Sequence, residues 1–417
     1  MKSSKNPLLL PMVFIVLGCL IRFIYPSIIE YKADEALMFD LAKKATEGDW
    51  ARLGIPSSQG VLNPGMSVWI FGILAKVLMG LGFELNPITL SMSVAALACA
   101  AFGLSFWVGL KVWKTPRDQM IWFWGVALVA THPIEILLQR KIWAQSVIPF
   151  LMILIFYSAH RWVHDPKKSR FWAFLTGLMI LIPGQIHMPA LFLAASILGA
   201  LGWMQWKENR KSLIQTAPYL AAGLLIGLIP MIPWFQHAIE FAALGAKAQS
   251  GGETRLHRIF EFSYLTKLFT HTLGLNIQYT LRKETLRFLG AHPWVLLFQI
   301  TIAAGVMILL FRIWKLRKKW RDPETSFLNR YLIAVFIGYG IILTLAGYRV
   351  QTHYFCAVFP WTGILLAYLI HRYAKHEKNW ILPLICGLQL ISSVTLLDSL
   401  RRNGGAVDGE FGRAYQK

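Results

Sequence analysis

Apolar residues recur through this chain in runs of roughly twenty, almost from end to end. Twenty residues is the length at which a helix crosses the hydrocarbon core of a bilayer. Lipid offers no partner to a backbone N–H or C=O, so such runs cross as helices that satisfy their own hydrogen bonds. Only 15% of the residues are charged and 56% are hydrophobic, whereas soluble chains carry about a quarter charged residues. The reading is an all-α polytopic membrane protein. The first run, Leu8 to Ile29, is long for a signal peptide and no small-residue cleavage site follows it, so it reads as a retained span.

Charge sets the expected topology. The net charge is +21, from 42 basic and 21 acidic residues. Such a balance can mean nucleic acid, but here the cations cluster in short loops between apolar runs: Lys2/Lys5, Lys111/Lys114/Arg117, Arg161/Lys167/Lys168/Arg170, Lys207/Arg210/Lys211, Arg312 to Arg321, and Arg372/Lys375/Lys378. That is the positive-inside pattern. The intervening spans fall at about 7–29, 88–110, 119–134, 145–163, 171–184, 187–206, 215–236, 293–313, 327–347, 352–371 and 380–398. Residues 66–83 are also apolar, yet a crossing there would invert every later basic loop. Asn63-Pro64-Gly65 and Gly80-Leu81-Gly82 bracket the stretch and Lys76 sits within it, so it reads as re-entrant or surface-lying. About eleven spans result, with the N-terminus inside and the C-terminus outside.

The chain reads as one integral membrane domain over residues 1–417, with no internal repeat and no soluble domain. Its outer face gathers residues 30–87, 135–144, 185–187, 237–292, 348–352 and 399–417. Cys19, Cys99, Cys356 and Cys386 lie in apolar runs and read as buried thiols.

The outer segments hold the polar chemistry. Asp34 and Glu35 open a helix just past the first span. Leu37, Leu41 and Ala45, widened by Met38 and Ala42, form its apolar stripe, while Asp40, Lys43, Lys44 and Glu47 face away. Asp34 could be an N-cap or a functional carboxylate. Further along come His132-Pro133, Gln139-Arg140-Lys141, Trp143 and Gln145, then Gln185-Ile186-His187. The long outer loop adds Arg255, His257, Arg258, Lys267, His271, Arg282, Lys283 and Arg287, and Tyr348-Arg349 to His353-Tyr354 follows. One acidic pair opposed by many cations suits transfer from a phosphate-linked donor: a carboxylate takes the acceptor's proton and guanidinium groups neutralise the departing phosphate. Plainer readings stand beside this one. Arg140 and Lys141 could anchor the interface by snorkelling, His187 could be a packing histidine, residues 349–354 could be a span boundary with an aromatic belt, and the basic loop could meet lipid headgroups. No zinc spacing, P-loop or dinucleotide glycine fingerprint occurs. No cofactor is called for. His132, His187 and the acidic pair would bind a divalent metal only if folding gathered them.

The order of these elements resembles the GT-C glycosyltransferases. Closest is the branch of the protein O-mannosyltransferases (family 39), the lipid A aminoarabinose transferase and the galacturonosyl transferases of lipopolysaccharide core. Asp34-Glu35-Ala36 opening a surface helix that ends Glu47-Gly48-Asp49-Trp50 is similar to their first outer loop. Asn63-Pro64-Gly65 and Trp69 match a proline-aromatic stretch, His132-Pro133 to Arg140 the second loop, and His353-Tyr354-Phe355 to Phe359-Pro360 a late span. Where those proteins usually carry a second aspartate, this chain has Gln145. The resemblance implies a polyprenyl-phosphate sugar donor used on the outer face of a bacterial inner membrane, with the active site toward the periplasm. It implies inverting transfer to a lipid, glycan or protein acceptor with Asp34 as base. Glu35 would orient a neighbour, Arg349 and Arg140 with His353 and Tyr354 would hold the donor phosphate, and His187, Gln185, Gln145 and His132 would line the substrate site. A transporter or flippase is the rival reading. Transporters bind near the bilayer midplane, whereas the charges here lie at the outer boundary. A scaffold would need no acidic pair facing cations.

Overall fold

The computed structural model describes residues 7–57, 61–243, 263–272, 274, 277–316, 326–347, 350–373, 380–409 and 411–415. The apolar runs are helices. In chain order they are α1 (Leu9–Ile21), α2 (Ala33–Thr46), α3 (Met66–Gly80), α4 (Pro87–Val112), α5 (Pro116–Thr131), α6 (Pro133–Leu138), α7 (Ile148–His164), α8 (Ser169–Ile180), α9 (Ile182–Ile186) and α10 (Ala190–Leu228). There follow α11 (Ile232–Ala243), α12 (Ser263–Thr272), α13 (Ile277–Leu281), α14 (Thr285–Ala291), α15 (Pro293–Leu316), α16 (Ser326–Ile333), α17 (Tyr339–Leu345), α18 (Phe359–Tyr373) and α19 (Ile381–Arg402). Short 3-10 or π segments continue or join some of these helices, among them Ala334–Gly338 between α16 and α17, and the described residues include two small antiparallel ribbons: β1 (Leu53–Pro56) with β2 (Leu62–Pro64), and β3 (Gly405–Ala406) with β4 (Gly412–Arg413).

Local chemistry explains where helices start. Asn86 accepts from the Thr89 N–H at 3.0 Å and Thr115 from the Asp118 N–H at 3.1 Å, each with proline as the first helical residue. Both devices satisfy or remove an orphan donor of the first turn. Between the two halves of α10 lies Asn209, whose backbone is non-helical (φ −153°, ψ 69°), so the basic stretch Lys207/Arg210/Lys211 separates two legs.

α5 is the centre of the bundle: every residue from Ile121 to Thr131 is buried, as expected of a helix apolar on all sides. Its approach to α18 is close because both helices offer glycine. A Cβ on Gly125 would lie 2.5 Å from the Ile364 Cα, and one on Gly363 would lie 2.2 Å from the Gly125 carbonyl oxygen. Small residues allow such backbone contact in membranes. Trp122, Phe156, Tyr331 and Trp361 pack around this seam.

Among the described residues, five helices are long and apolar enough to cross a membrane: Pro87–Val112, Ala144–His164, Ala190–Phe241, Phe327–Leu345 and Ile381–Arg402. The pair Arg282–Ala291 and Pro293–Ile308 meets the test only together and bends by 103°. The protein is an integral membrane protein of all-α class. Its other expected spans are shorter helices, so the count of eleven and the outward C-terminus stay expectations.

The chain leaves α1 and enters α4 at one face. Arg140 donates to the carbonyls of Tyr25 and Ile28, just past α1, at 2.6 and 3.2 Å. The Arg140 carbonyl accepts from Ser91, near the start of α4. Arg140 thus holds the start and the end of residues 30–87 close together. Within that stretch α3 packs on α2, with Gly72 against Ala45 and Trp50, and Lys76 stands exposed with its ammonium 5.0 Å from the Trp50 ring centre.

Candidate functional site

α2 begins after Lys32, whose backbone is extended, and Glu35 accepts the Lys32 N–H at 3.0 Å. The cap is thus closed by Glu35, not by Asp34. The buried face of α2 is Glu35, Met38, Ala42 and Ala45; Leu37, expected in the apolar stripe, is 40% exposed. The stripe is rotated because Glu35 turns inward to meet a cation. Lys141 reaches it at 2.9 Å and also holds Glu30 at 2.9 Å, while Lys32 pairs with Glu30 at 3.1 Å. Burial alone would lower the Lys141 pKa, but Glu30 and Glu35 outweigh it and hold it above the ordinary lysine value. The Glu30 carboxyl stands above its usual range, chiefly through burial and with Glu35 adding to it against Lys141 and Lys32. Asp34 projects at the exposed edge of this cluster and accepts no hydrogen bond among the described residues. The protein around it strips part of its water and Glu35 repels its charge, so its pKa is raised, with Lys141 and Lys32 opposing.

From Lys141 the site continues through aromatic contacts. The ammonium lies 4.0 Å from the Trp143 ring centre, Trp143 meets His353 edge-on at 4.8 Å, and His353 meets His187 at 5.3 Å. Tyr354 packs on His187 at 5.1 Å, and Gln145 Nε2 lies 3.2 Å from His187 Nδ1. Four segments expected on one face thus meet: 34–35, 141–145, 187 and 353–354. Several buried polar atoms here have no hydrogen-bond partner among the described residues: Gln145 Oε1, His187 Nε2, His353 Nδ1 and Gln185 Oε1. Each such group costs about 1–3 kcal/mol if it stays unmatched. Gln185 donates to the Gly227 carbonyl at 2.7 Å, which ties α9 to the end of α10.

Two expected residues stand elsewhere. Arg140 is 2% exposed and spends Nη2 on the backbone after α1, leaving Nε and Nη1 unmatched among the described residues. His132 caps α6, with the Glu135 N–H 3.4 Å from Nδ1, and its Nε2 lies 2.9 Å from the His271 carbonyl oxygen. Beside it runs a buried network that sequence reasoning missed. Arg22, 0% exposed, donates to Gln139 Oε1 at 2.6 and 2.9 Å and to the Ala130 carbonyl at 2.6 Å, and Gln139 donates to Glu135 at 2.9 Å. Burial drives the Glu135 carboxyl well above its usual range, with Arg22 working against it. Glu30, equally unforeseen, is a second acid paired with Lys141. Arg349, Arg255, His257 and Arg258 lie outside the described residues. His132 and His187 belong to separate clusters, and no three His, Cys, Asp or Glu side chains among the described residues are placed to hold a metal.

On the same face a cavity of about 740 Å³ opens between α14, the start of α15 and the end of α19. Tyr25, Arg287, Trp294, Asp398, Arg401 and Arg402 are among its lining residues. Asp398 pairs with Arg401 at 2.9 Å and Arg402 at 2.6 Å. Arg287 has no ion-pair partner among the described residues. Tyr25 joins this cavity to the acidic cluster: Arg401 lies 4.9 Å from its ring centre, while its carbonyl holds Arg140. Its backbone is left-handed (φ 49°), a strain that a non-glycine residue keeps only where neighbours enforce it.

The likeness to a solved structure gives this helical membrane bundle a GT-C-like fold. Among solved structures, ArnT from Cupriavidus metallidurans in the apo state superposes with a TM-score of 0.53 at 14% identity, over 91% of this chain. This chain spans 62% of that structure's length. ArnT from the same organism bound to undecaprenyl phosphate aligns with a TM-score of 0.48 at 14% identity, over 94% of this chain and 63% of that one. No protein-family profile and no curated protein matches the sequence.

Proposed function

We propose that this protein transfers a sugar from a polyprenyl-phosphate donor to an acceptor on the face that carries Asp34, with inversion at the anomeric carbon. The observation that carries the reading is the convergence of Asp34, the Glu30–Lys141–Glu35 cluster and the unmatched polar atoms around His187 and His353. In this reading the Asp34 carboxylate takes the proton of the acceptor hydroxyl. That oxygen bonds to the anomeric carbon as the bond to the donor phosphate breaks, and polyprenyl phosphate leaves with the electron pair. In this reading Arg349, together with His353 and Tyr354, holds that phosphate, the arginine by a two-point guanidinium contact. Gln145 and His187 bind the sugar through their unmatched atoms. The cavity shared by Tyr25 and Arg287 admits the acceptor. Glu35 is the organiser: it closes the α2 cap and fixes Lys141, whose charge opposes the rise in the Asp34 pKa.

The test is donor consumption by the purified full chain over a panel of polyprenyl-phosphate sugars. Consumption of one donor, lost in Asp34→Asn, supports the reading. Uptake of an intact lipid-linked sugar into vesicles without cleavage would favour transport instead.

A further inference from the structure

We infer that the hairpin after α19 is the positioning element of the acidic site, with Tyr415 as its key residue. The inference rests on the transferase reading for its kinetic test and on geometry for its structural one. β3 and β4 pair Gly405 with Arg413 and Ala406 with Gly412, and the Ala414 N–H returns to the Gly404 carbonyl at 2.9 Å. The end of the hairpin then binds the approach to α2. Ala414 bridges Glu30, the Tyr415 N–H donates to the Ile29 carbonyl at 3.2 Å, and the Tyr415 ring meets Tyr31 edge-on at 5.1 Å. Its other edge holds the segment before α14: Phe411 N–H donates to the Thr280 carbonyl at 3.2 Å and Asp408 N–H to Glu284 at 3.3 Å.

This grip has a specific target. Glu30 pairs with Lys141, and the Lys32 N–H is the group that Glu35 caps. The hairpin therefore holds the backbone on which both carboxylates of the cluster depend. Its close fit requires glycine. Gly412 has φ 67° and a Cβ there would lie 2.8 Å from the Lys32 side chain, while a Cβ on Gly409 would lie 2.2 Å from the Thr280 carbonyl oxygen. Tyr415 touches no reacting atom in this arrangement. It acts through Tyr31 and Glu30.

The test uses the purified full chain with Tyr415→Ala and Tyr415→Phe. Hydrogen exchange of residues 29–36, read by mass spectrometry, should speed at least tenfold in Tyr415→Ala and stay near wild type in Tyr415→Phe, which keeps the ring contact. Turnover per folded protein should fall about tenfold in Tyr415→Ala with the donor KM within twofold. The acid limb of its pH–rate profile should move to higher pH, because a loosened Lys141 no longer holds the Asp34 pKa down. A purely structural role would lower the folded fraction and leave that limb in place. Unchanged exchange in Tyr415→Ala overturns the inference whatever the enzyme does. Faster exchange in a protein that transfers no sugar overturns the transferase reading and leaves the hairpin's grip standing.

Discussion

Replacing Lys141 by methionine removes the only side chain that joins Glu30 to Glu35 among the described residues. At 2.9 Å each contact is worth about 6 kcal/mol of attraction at an effective dielectric of about 20. Desolvation of three groups and repulsion between the acids offset most of it. What the substitution leaves is Glu35, with its side chain 2% exposed and no cation, and Glu30, 15% exposed and held by Lys32 alone. Breaking a buried pair in this way costs about 3–5 kcal/mol. With an unfolding entropy of about 2.1 cal/mol/K per residue over the 417-residue chain, the thermal midpoint should fall by about 3–6 °C. Midpoints measured in one detergent by intrinsic fluorescence would show it. Adding Glu30→Gln to Lys141→Met should restore at least half of the loss, since one acid no longer needs a cation, whereas Glu30→Gln alone should destabilise. The sign of the pH dependence follows from the raised Glu30 pKa. A carboxyl that binds its proton more tightly folded than unfolded stabilises the fold as pH falls, and loss of Lys141 enlarges that effect. The gap between variant and wild type should therefore narrow as pH is lowered through the carboxylate range. A Lys141→Met midpoint within 1 °C of wild type, or no recovery in the double variant, would refute the reasoning.

Three further outcomes are expected. Arg349→Lys should keep normal expression and lower turnover by about tenfold, about 1.4 kcal/mol of barrier, because lysine keeps the charge and loses the two-point contact; wild-type turnover would remove Arg349 as the phosphate clamp. Arg287→Gln should raise the acceptor KM several-fold and leave donor KM unchanged, as steady-state kinetics with each substrate varied would show. A cysteine at position 86 should react with an impermeant thiol reagent from outside the cell, and one at position 115 only after the membrane is opened.

The helices were legible because hydropathy is a local property and each run carries its own caps, as at Asn86 and Thr115. Charge parity gives only an expectation for 66–83, which the labelling at positions 86 and 115 tests. The gathering of Gln145, His187, His353 and Tyr354 was legible too, since spans of alternating direction must bring their loops to shared faces. Arg22 was not legible: a lone arginine near the end of an apolar run reads as an interface anchor, and its partner Gln139 lies 117 residues away. Lys141 had two open readings, and only the placement of Glu30 and Glu35 on either side of it makes it an ion-pair centre. The hairpin around Tyr415 has no periodicity to betray it. Its meaning lies in contacts with Ile29 and Tyr31, almost the whole chain away.

The central claim is that Asp34 is the base of a lipid-linked sugar transfer. Asp34→Asn tests it most directly, because the side chain is exposed and accepts no hydrogen bond among the described residues, so its change should leave the fold intact. The measurement is donor consumption by purified Asp34→Asn protein whose thermal midpoint matches wild type. The account expects a loss of at least a hundredfold, in the range a positioned general base supplies. Wild-type consumption by that protein would contradict it.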